Sequence, residues 1–296
     1  MKKFNLQTPL LSLCAALALA APLSAEAHRS WLLPSGTIFS GEQPWVTVDA
    51  ASSNDIFYFE HNASSLENLL ITAPDGTRIN AENQTKTRYR SVFDLKLAQQ
   101  GTYRIALVNK GMVASYKLNG ETKRVRGTIE MLQKEIPAHA EELSVTESKS
   151  RVETFVTRGK PSTQSLQPTN DGLELVSVTH PNDLVAGESA VLRFLNDGKP
   201  AAGFDAVVIL AGSRYRDQLG EMRMTTDQNG EIKIRWPEAG MYWVNVTPKR
   251  PARPEVDMDD DEDDKPAATS AAIRAGTLDD PVKRSGYSLT LEVMPG

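Results

Sequence analysis

TDQNGEIKIRWPEAGMYWVNV, residues 226–246, holds two strands and the two turns that lead into them. Thr226-Asp227-Gln228-Asn229-Gly230 is built from turn residues, because Asp and Asn hydrogen-bond their own backbone and Gly supplies positive φ. It opens into EIKIRW at 231–236, an alternating stretch. Pro237-Glu238-Ala239-Gly240 is the next break, and MYWVNV at 241–246 is rich in the aromatic and β-branched residues of a half-buried strand. Turn, strand, turn, strand is the rhythm of a β-sandwich, not of a helical or βαβ fold.

The same rhythm extends in both directions. Downstream of 172 come LELVSV at 173–178, AVLRFL at 190–195, the turn Asn196-Asp197-Gly198-Lys199-Pro200 and the nearly continuous apolar run AVVIL at 206–210. SLTLEV at 288–293 closes the chain. About seven strands in this half match an immunoglobulin-like sandwich. Upstream, 45–48, 55–59, 69–72, 91–95 and 101–108 read as strands, with Pro74-Asp75-Gly76 as a turn. Between the halves the period changes: Ile129, Leu132, Gln133 and Ile136 have helical spacing, Pro137 breaks it, and 138–143 forms another turn. Val152, Thr154 and Val156 then alternate before Gly159-Lys160-Pro161 and a polar loop at 162–172. The expected fold is mainly all-β. It has a sandwich at 28–127, a connector with a short helix and a strand at 128–171, and an immunoglobulin-like sandwich at 172–296.

The first residues set the compartment. Met1-Lys2-Lys3, a largely apolar stretch over 10–23 and the small-x-small triplet Ala25-Glu26-Ala27 follow the order of a secretory signal. The apolar stretch is shorter than a bilayer span needs. Cys14 follows Leu11-Ser12-Leu13, where lipoprotein processing requires a small residue in place of bulky Leu13. The expectation is therefore a signal peptide over 1–27, cleaved after Ala27, and a periplasmic protein. Cys14 is the one cysteine, so the exported chain has no disulfide and no thiolate chemistry. Without Lys2, Lys3 and Glu26 the chain carries 31 basic and 37 acidic residues, a net charge of −6. Eight of those acids lie in EVDMDDDEDD, 255–264, flanked by Pro248, Pro251, Pro254 and Pro266. This composition cannot bury enough apolar surface to order itself, and 248–282 reads as a disordered acidic loop. No basic stripe with aromatics is present, which argues against nucleic acid.

Chemistry narrows to four histidines. There is no G-x-S-x-G, H-E-x-x-H, P-loop or dinucleotide fingerprint, and no catalytic motif marks an enzyme. His28 becomes the amino terminus if cleavage follows Ala27, and its free amine and Nδ1 then close a chelate on one metal. One further imidazole completes a three-nitrogen site suited to Cu(II) or Ni(II). His61, in FYFEHNA, is the first choice, placed by alternation on one strand face with Asp55, Phe57 and Phe59. A strand-end histidine is otherwise solvent-facing or simply hydrogen-bonded. His139, in PAHAEEL, and His180, in THPNDL, stand behind it, the latter shaping a turn with Asp183 as local acceptor. Asp49 or Asp55 is placed to orient an imidazole by a hydrogen bond.

Several stretches together resemble a known family: AHRSWLLPSGTIFSG, WVTVDAASSNDIFYFEH, RSVFDLKLAQQGTYRIAL, VETFVTRGKPS, GLELVSVTHPNDLVAGE and YSLTLEVMPG. They look like the exported bacterial family known as domain of unknown function 4198. The resemblance covers the chain outside the acidic segment. It implies a β-rich periplasmic protein related to periplasmic components of nickel and cobalt uptake, and a start at Ala27-His28. His28 and His61 both fall on the matching stretches. The leading expectation is a periplasmic binding protein for one nickel, cobalt or copper ion, serving an inner-membrane metal-uptake system. A metal-free envelope interaction protein and a copper enzyme using His28 are the alternatives.

Overall fold

The computed structural model describes residues 28–249 and 275–296. The leader expected at 1–27 and the acidic run at 255–264 lie outside the described residues. The described residues are mainly β, with their strands in three sheets of five, ten and four.

Residues 226–246 form the two strands read from them, but the strands do not pair with each other. Glu231–Arg235 joins Ser189–Asn196 in the four-stranded sheet, whereas Gly240–Thr247 lies between Asp205–Leu210 and Val282–Val293 in the ten-stranded one. The chain thus crosses from one layer to the other at Pro237–Gly240. Ile232, Ile234 and Trp236 from one layer meet Tyr242, Val244 and Val246 from the other, with Phe194 and Leu289 between them. That is the second sandwich.

The first sandwich is built the same way. Arg29–Pro34, Trp45–Ser53 and Ser91–Lys96 form one layer. Leu69–Thr72 and Gly101–Leu118, at the other end of the ten-stranded sheet, form the second. Val46, Val48, Phe93 and Leu95 bury against Ile71, Tyr103, Ile105 and Leu107.

The expected connector is only partly a connector. Its helix exists at Ile129–Glu135, with the Thr128 hydroxyl accepting from Met131 N–H, and the turn after it is Pro137 to Ala140. Its strand, however, is Glu141–Arg158, 18 residues long. At about 3.3 Å per residue it reaches roughly 60 Å. It runs antiparallel to Gly101–Leu118 and parallel to Val282–Val293, from Thr146 beside Val282 to Thr154 beside Thr290. Val152 and Val156 enter the first core, while Phe155, on the opposite face, enters the second. The two sandwiches therefore share one continuous sheet.

The disorder expected over 248–282 extends too far along the chain. Residues 275–282 are tied to the sheet by Val145 N–H to the Gly276 carbonyl at 2.9 Å and by a turn from Thr277 to Asp280. A Cβ on Gly276 would stand 2.1 Å from the Val145 carbonyl, so only glycine lets the backbone approach this closely. Leu278 packs on Ala114, Leu132 and Val145. Composition describes how little a segment can bury, but not the backbone pairing a neighbouring strand offers its flank.

A buried ionic network also joins the halves. Glu153 is wholly buried; its Oε1 accepts from Arg104 Nε at 2.5 Å and Arg151 Nη1 at 3.5 Å, and its Oε2 from Tyr287 Oη at 2.5 Å. Glu174, on the four-stranded sheet, accepts from the backbone N–H groups of Thr169 and Asn170 and from Arg104. Burial alone would lower the Arg104 pKa, but the two carboxylates and Tyr287 hold it above its ordinary value. Burial and then Glu153 push the Tyr287 hydroxyl well up.

Candidate functional site

The strand Arg29–Pro34 is buried on both faces. Leu32 sits in the first core, and Trp31 lies in a separate cluster with Ala51, Ile56, Ile209 and Trp243, which come from both sandwiches. Trp243 Nε1–H donates to the Ser30 carbonyl at 2.9 Å. Arg29 donates to the Asn54 carbonyl and, at 3.4 Å, to Glu221 Oε1. The start of this strand is thus pinned side chain by side chain, and His28 projects from it, exposed.

Residues 55–59 do not form the expected strand. They make a turn in which Tyr58 N–H donates to the Asp55 carbonyl and Phe57 adopts φ 59°. Ile56 is buried, and the Phe57 and Phe59 rings pack on Trp31 at 5.8 and 6.1 Å. Anchoring on Trp31 outweighs strand alternation here, because Ile56, Phe57 and Phe59 all pack into its cluster. The short strand Asn62–Ala63 then returns to Trp45–Ser53, pairing Ser52 with Asn62. This return places the His61 ring beside the His28 ring, centroids 4.7 Å apart and planes tilted by 53°.

The side chains that hold His61 are not those expected. Its Nδ1 lies 3.0 Å from Ser53 Oγ and 3.8 Å from Glu60 Oε1, and its Nε2 lies 3.4 Å from Asn54 Nδ2. Since the Asn54 Nδ2 group can only donate, Nε2 is the acceptor and Nδ1–H points to Ser53. Asp49 instead pairs with Arg90 at 3.4 Å, and its pKa is raised by burial, with Arg90 opposing. Asp55 contributes its backbone carbonyl to the turn. Ser53, Asn54 and Glu60 carry no motif; their role comes from the turn that folds them around the ring. Glu60 is also 3.9 Å from Arg214, whose guanidinium stacks 3.8 Å over Tyr58.

The other two histidines lie elsewhere. His139 is exposed in the Pro137 turn. His180 is half-buried at the junction of the sandwiches, where Nδ1 accepts from Asn182 N–H at 3.1 Å and Nε2 donates to the Ser162 carbonyl at 3.2 Å. It does shape a turn, but its own ring supplies the acceptor role expected of Asp183, which gives its N–H to the His180 carbonyl. Among the described residues no group of three or more His, Cys, Asp or Glu is gathered in a way that could hold a metal ion.

Fold and site together describe a double β-sandwich of one shared sheet with paired histidines at its seam. The chain belongs to the family described as "Domain of unknown function (DUF4198)", whose model matches residues 25–250. No curated protein matches it. Among solved structures it is similar to the D0-D1 domain of intimin, at 10% identity and TM-score 0.21, over 89% of this chain and 97% of that one. It is also similar to a DUF4785 family protein from Legionella pneumophila, at 8% identity and TM-score 0.22, over 72% and 49%. The ICAM-5 D1-D4 ectodomain fragment aligns at 10% identity and TM-score 0.18, over 74% and 45%. The chain spans about half the length of the last two. At these TM-scores none of the three bears on what this chain does.

Proposed function

We propose that the exported, cleaved chain is a periplasmic binding protein for one transition-metal ion, nickel, cobalt or copper, delivering it to an uptake system of the inner membrane. The observation that carries this reading is the 4.7 Å spacing of the His28 and His61 rings. An ion held at about 2 Å by an imidazole nitrogen lies about 3.2 Å from the ring centre. Two rings at the observed spacing then subtend an angle of roughly 95°, near the cis angle of a planar nitrogen site. Cleavage after Ala27 supplies the third donor, because the His28 amine and Nδ1 close a six-membered chelate. The Nδ1–H of His61 turned to Ser53 keeps its Nε2 as the ligating nitrogen. The exposure of His28 gives an ion direct access.

The test is calorimetric titration of Ni(II), Co(II) and Cu(II) into protein recovered after export, with His28 at its amino terminus. Binding at micromolar concentration or tighter is expected with one of the three, at one ion per chain. One extra residue before His28, or His61→Ala, should abolish it. Ser53→Ala should weaken it by about tenfold while leaving the fold intact. Undiminished binding by the extended chain, or none by the cleaved one, would overturn the reading and leave a metal-free interaction protein.

A further inference from the structure

The ten-stranded sheet carries a polar patch on the face turned away from the first core. Along Gly101–Leu118, Tyr103, Ile105 and Leu107 enter that core, so Arg104 projects to the other side. On the neighbouring strands Thr72 and Arg151 project the same way, and with Arg78, Gln164 and Thr169 they line a cavity of about 220 Å³. Its far wall is the segment that leads into the second sandwich.

Three guanidinium groups therefore share one small cavity, and the described residues lining it include no carboxylate. The two acids nearby are already engaged. Glu153 divides its oxygens among Arg104, Arg151 and Tyr287, and Glu174 is taken up by Thr169, Asn170 and Arg104. Three positive charges against two negative ones leave an excess of one, with Arg104 and Arg151 buried and Arg78 at the exposed mouth. The donors are also incompletely met. Arg151 is 93% buried, by its 7% relative exposure, and its Nε–H has no hydrogen-bond partner. Arg78 gives Nη1–H to Thr72 Oγ1 at 2.6 Å, and its other N–H groups meet no partner among the described residues. Burial, then Arg104 and Arg151, hold the Arg78 pKa below its ordinary value. A buried donor on a charged group is seldom left unmet in a native structure.

We propose that this cavity binds a small oxyanion, a phosphate, sulfate or short carboxylate, whose oxygens take the open N–H groups of Arg78, with the positive charge of Arg104 and Arg151 in the wall behind. The forked guanidinium matches the paired oxygens of all three. The volume of the cavity suits a small ligand, since drug-sized molecules fill pockets of roughly 300 Å³ and above. With walls from the shared sheet and from the segment entering the second sandwich, the cavity couples occupancy to the stability of the seam. None of this depends on the histidine pair.

Thermal denaturation and calorimetry with sodium phosphate, sulfate and succinate, against chloride at matched ionic strength, test the assignment. At least one of the three oxyanions should bind at one per chain and raise Tm above the chloride control. The comparison of succinate with phosphate and sulfate identifies which chemistry the site takes. Arg78→Gln, at an exposed position that leaves the fold intact, should weaken binding by about tenfold or more, and Arg78→Lys should restore part of it. His61→Ala should leave oxyanion binding unchanged. No shift with any of the three, or equal binding by wild type and Arg78→Gln, would overturn the proposal.

Discussion

His180 accepts at Nδ1 from Asn182 N–H, and its Nε2 lies 3.1 Å from Thr102 Oγ1 and 3.2 Å from the Ser162 carbonyl, an arrangement that requires the neutral ring with its proton on Nε2. Protonation would set a second N–H against the Asn182 N–H. Burial lowers its pKa below the ordinary 6.5, more than the Ser162 carbonyl and the Asp183 carboxylate raise it. As pH falls through about 6.5 the unfolded chain takes up a proton that the folded chain refuses, so stability declines from there toward the lower, folded pKa. Urea denaturation at pH 7.5 and pH 5.5 should show a larger loss for wild type than for His180→Gln, whose amide does not titrate. An equal loss in both would place the acid sensitivity elsewhere. The lesson at this scale is that a histidine becomes a seam pin or a candidate ligand according to what its second nitrogen meets. The His61 Nε2 meets the Asn54 amide nitrogen at 3.4 Å, with the His28 ring beside it.

At the scale of elements, the turn Asp227-Gln228-Asn229-Gly230 shows how local chemistry and packing agree. Asp227 Oδ1 accepts from the backbone of Asn229 and Glu231, and Gly230 takes φ 74°. A Cβ on Gly230 would lie 2.4 Å from the Phe194 carbonyl and 2.8 Å from Ala201 N. Gly230→Ala should therefore cost about 2–3 kcal/mol from the left-handed backbone and the clash combined, read as a lower urea midpoint at unchanged slope. A loss below about 0.5 kcal/mol would mean that the turn rearranges freely. Residues 55–59 make the contrasting case. DIFYF has the strand alternation of its neighbours, yet Trp31 captures its aromatic rings, and a turn results. The longest strands were also only half legible. Gly101 to Leu107 are buried without a break, whereas the distal part is mostly half-buried, exposed only at Asn109 to Gly111, and held by Glu121–Gly127 and Glu141–Arg158 on either side.

For the whole molecule, the shared sheet makes the two sandwiches one mechanical unit. A flexible linker would allow each half to melt alone. Here Glu141–Arg158 supplies side chains to both cores, and the Glu153 network ties them together. Calorimetry should show a single transition with calorimetric and van't Hoff enthalpies in agreement. Glu153→Ala should lower stability by about 3–5 kcal/mol, because Arg104, Arg151 and Tyr287 would be left buried without their common acceptor. Two endotherms in wild type would show that the halves fold separately.

The sequence by itself determined the β class, most strands, the short helix and the shortlist of His28 and His61, since periodicity, turn residues and side-chain chemistry are local properties. The tertiary structure alone decided which strands pair. It made a connector strand the spine of both sandwiches and replaced Asp49 and Asp55 with Ser53, Asn54 and Glu60 around His61. It also gathered Arg78, Arg104 and Arg151 from three separate stretches into one cavity. Arg104 in GTYRIALV, Arg151 and Glu153 in RVETFV and Glu174 in LELVS are charges inside strands rich in apolar residues, and that is the trace such a network leaves in the sequence. The partners of a buried charge lie far along the chain, and register and packing of whole sheets bring them together.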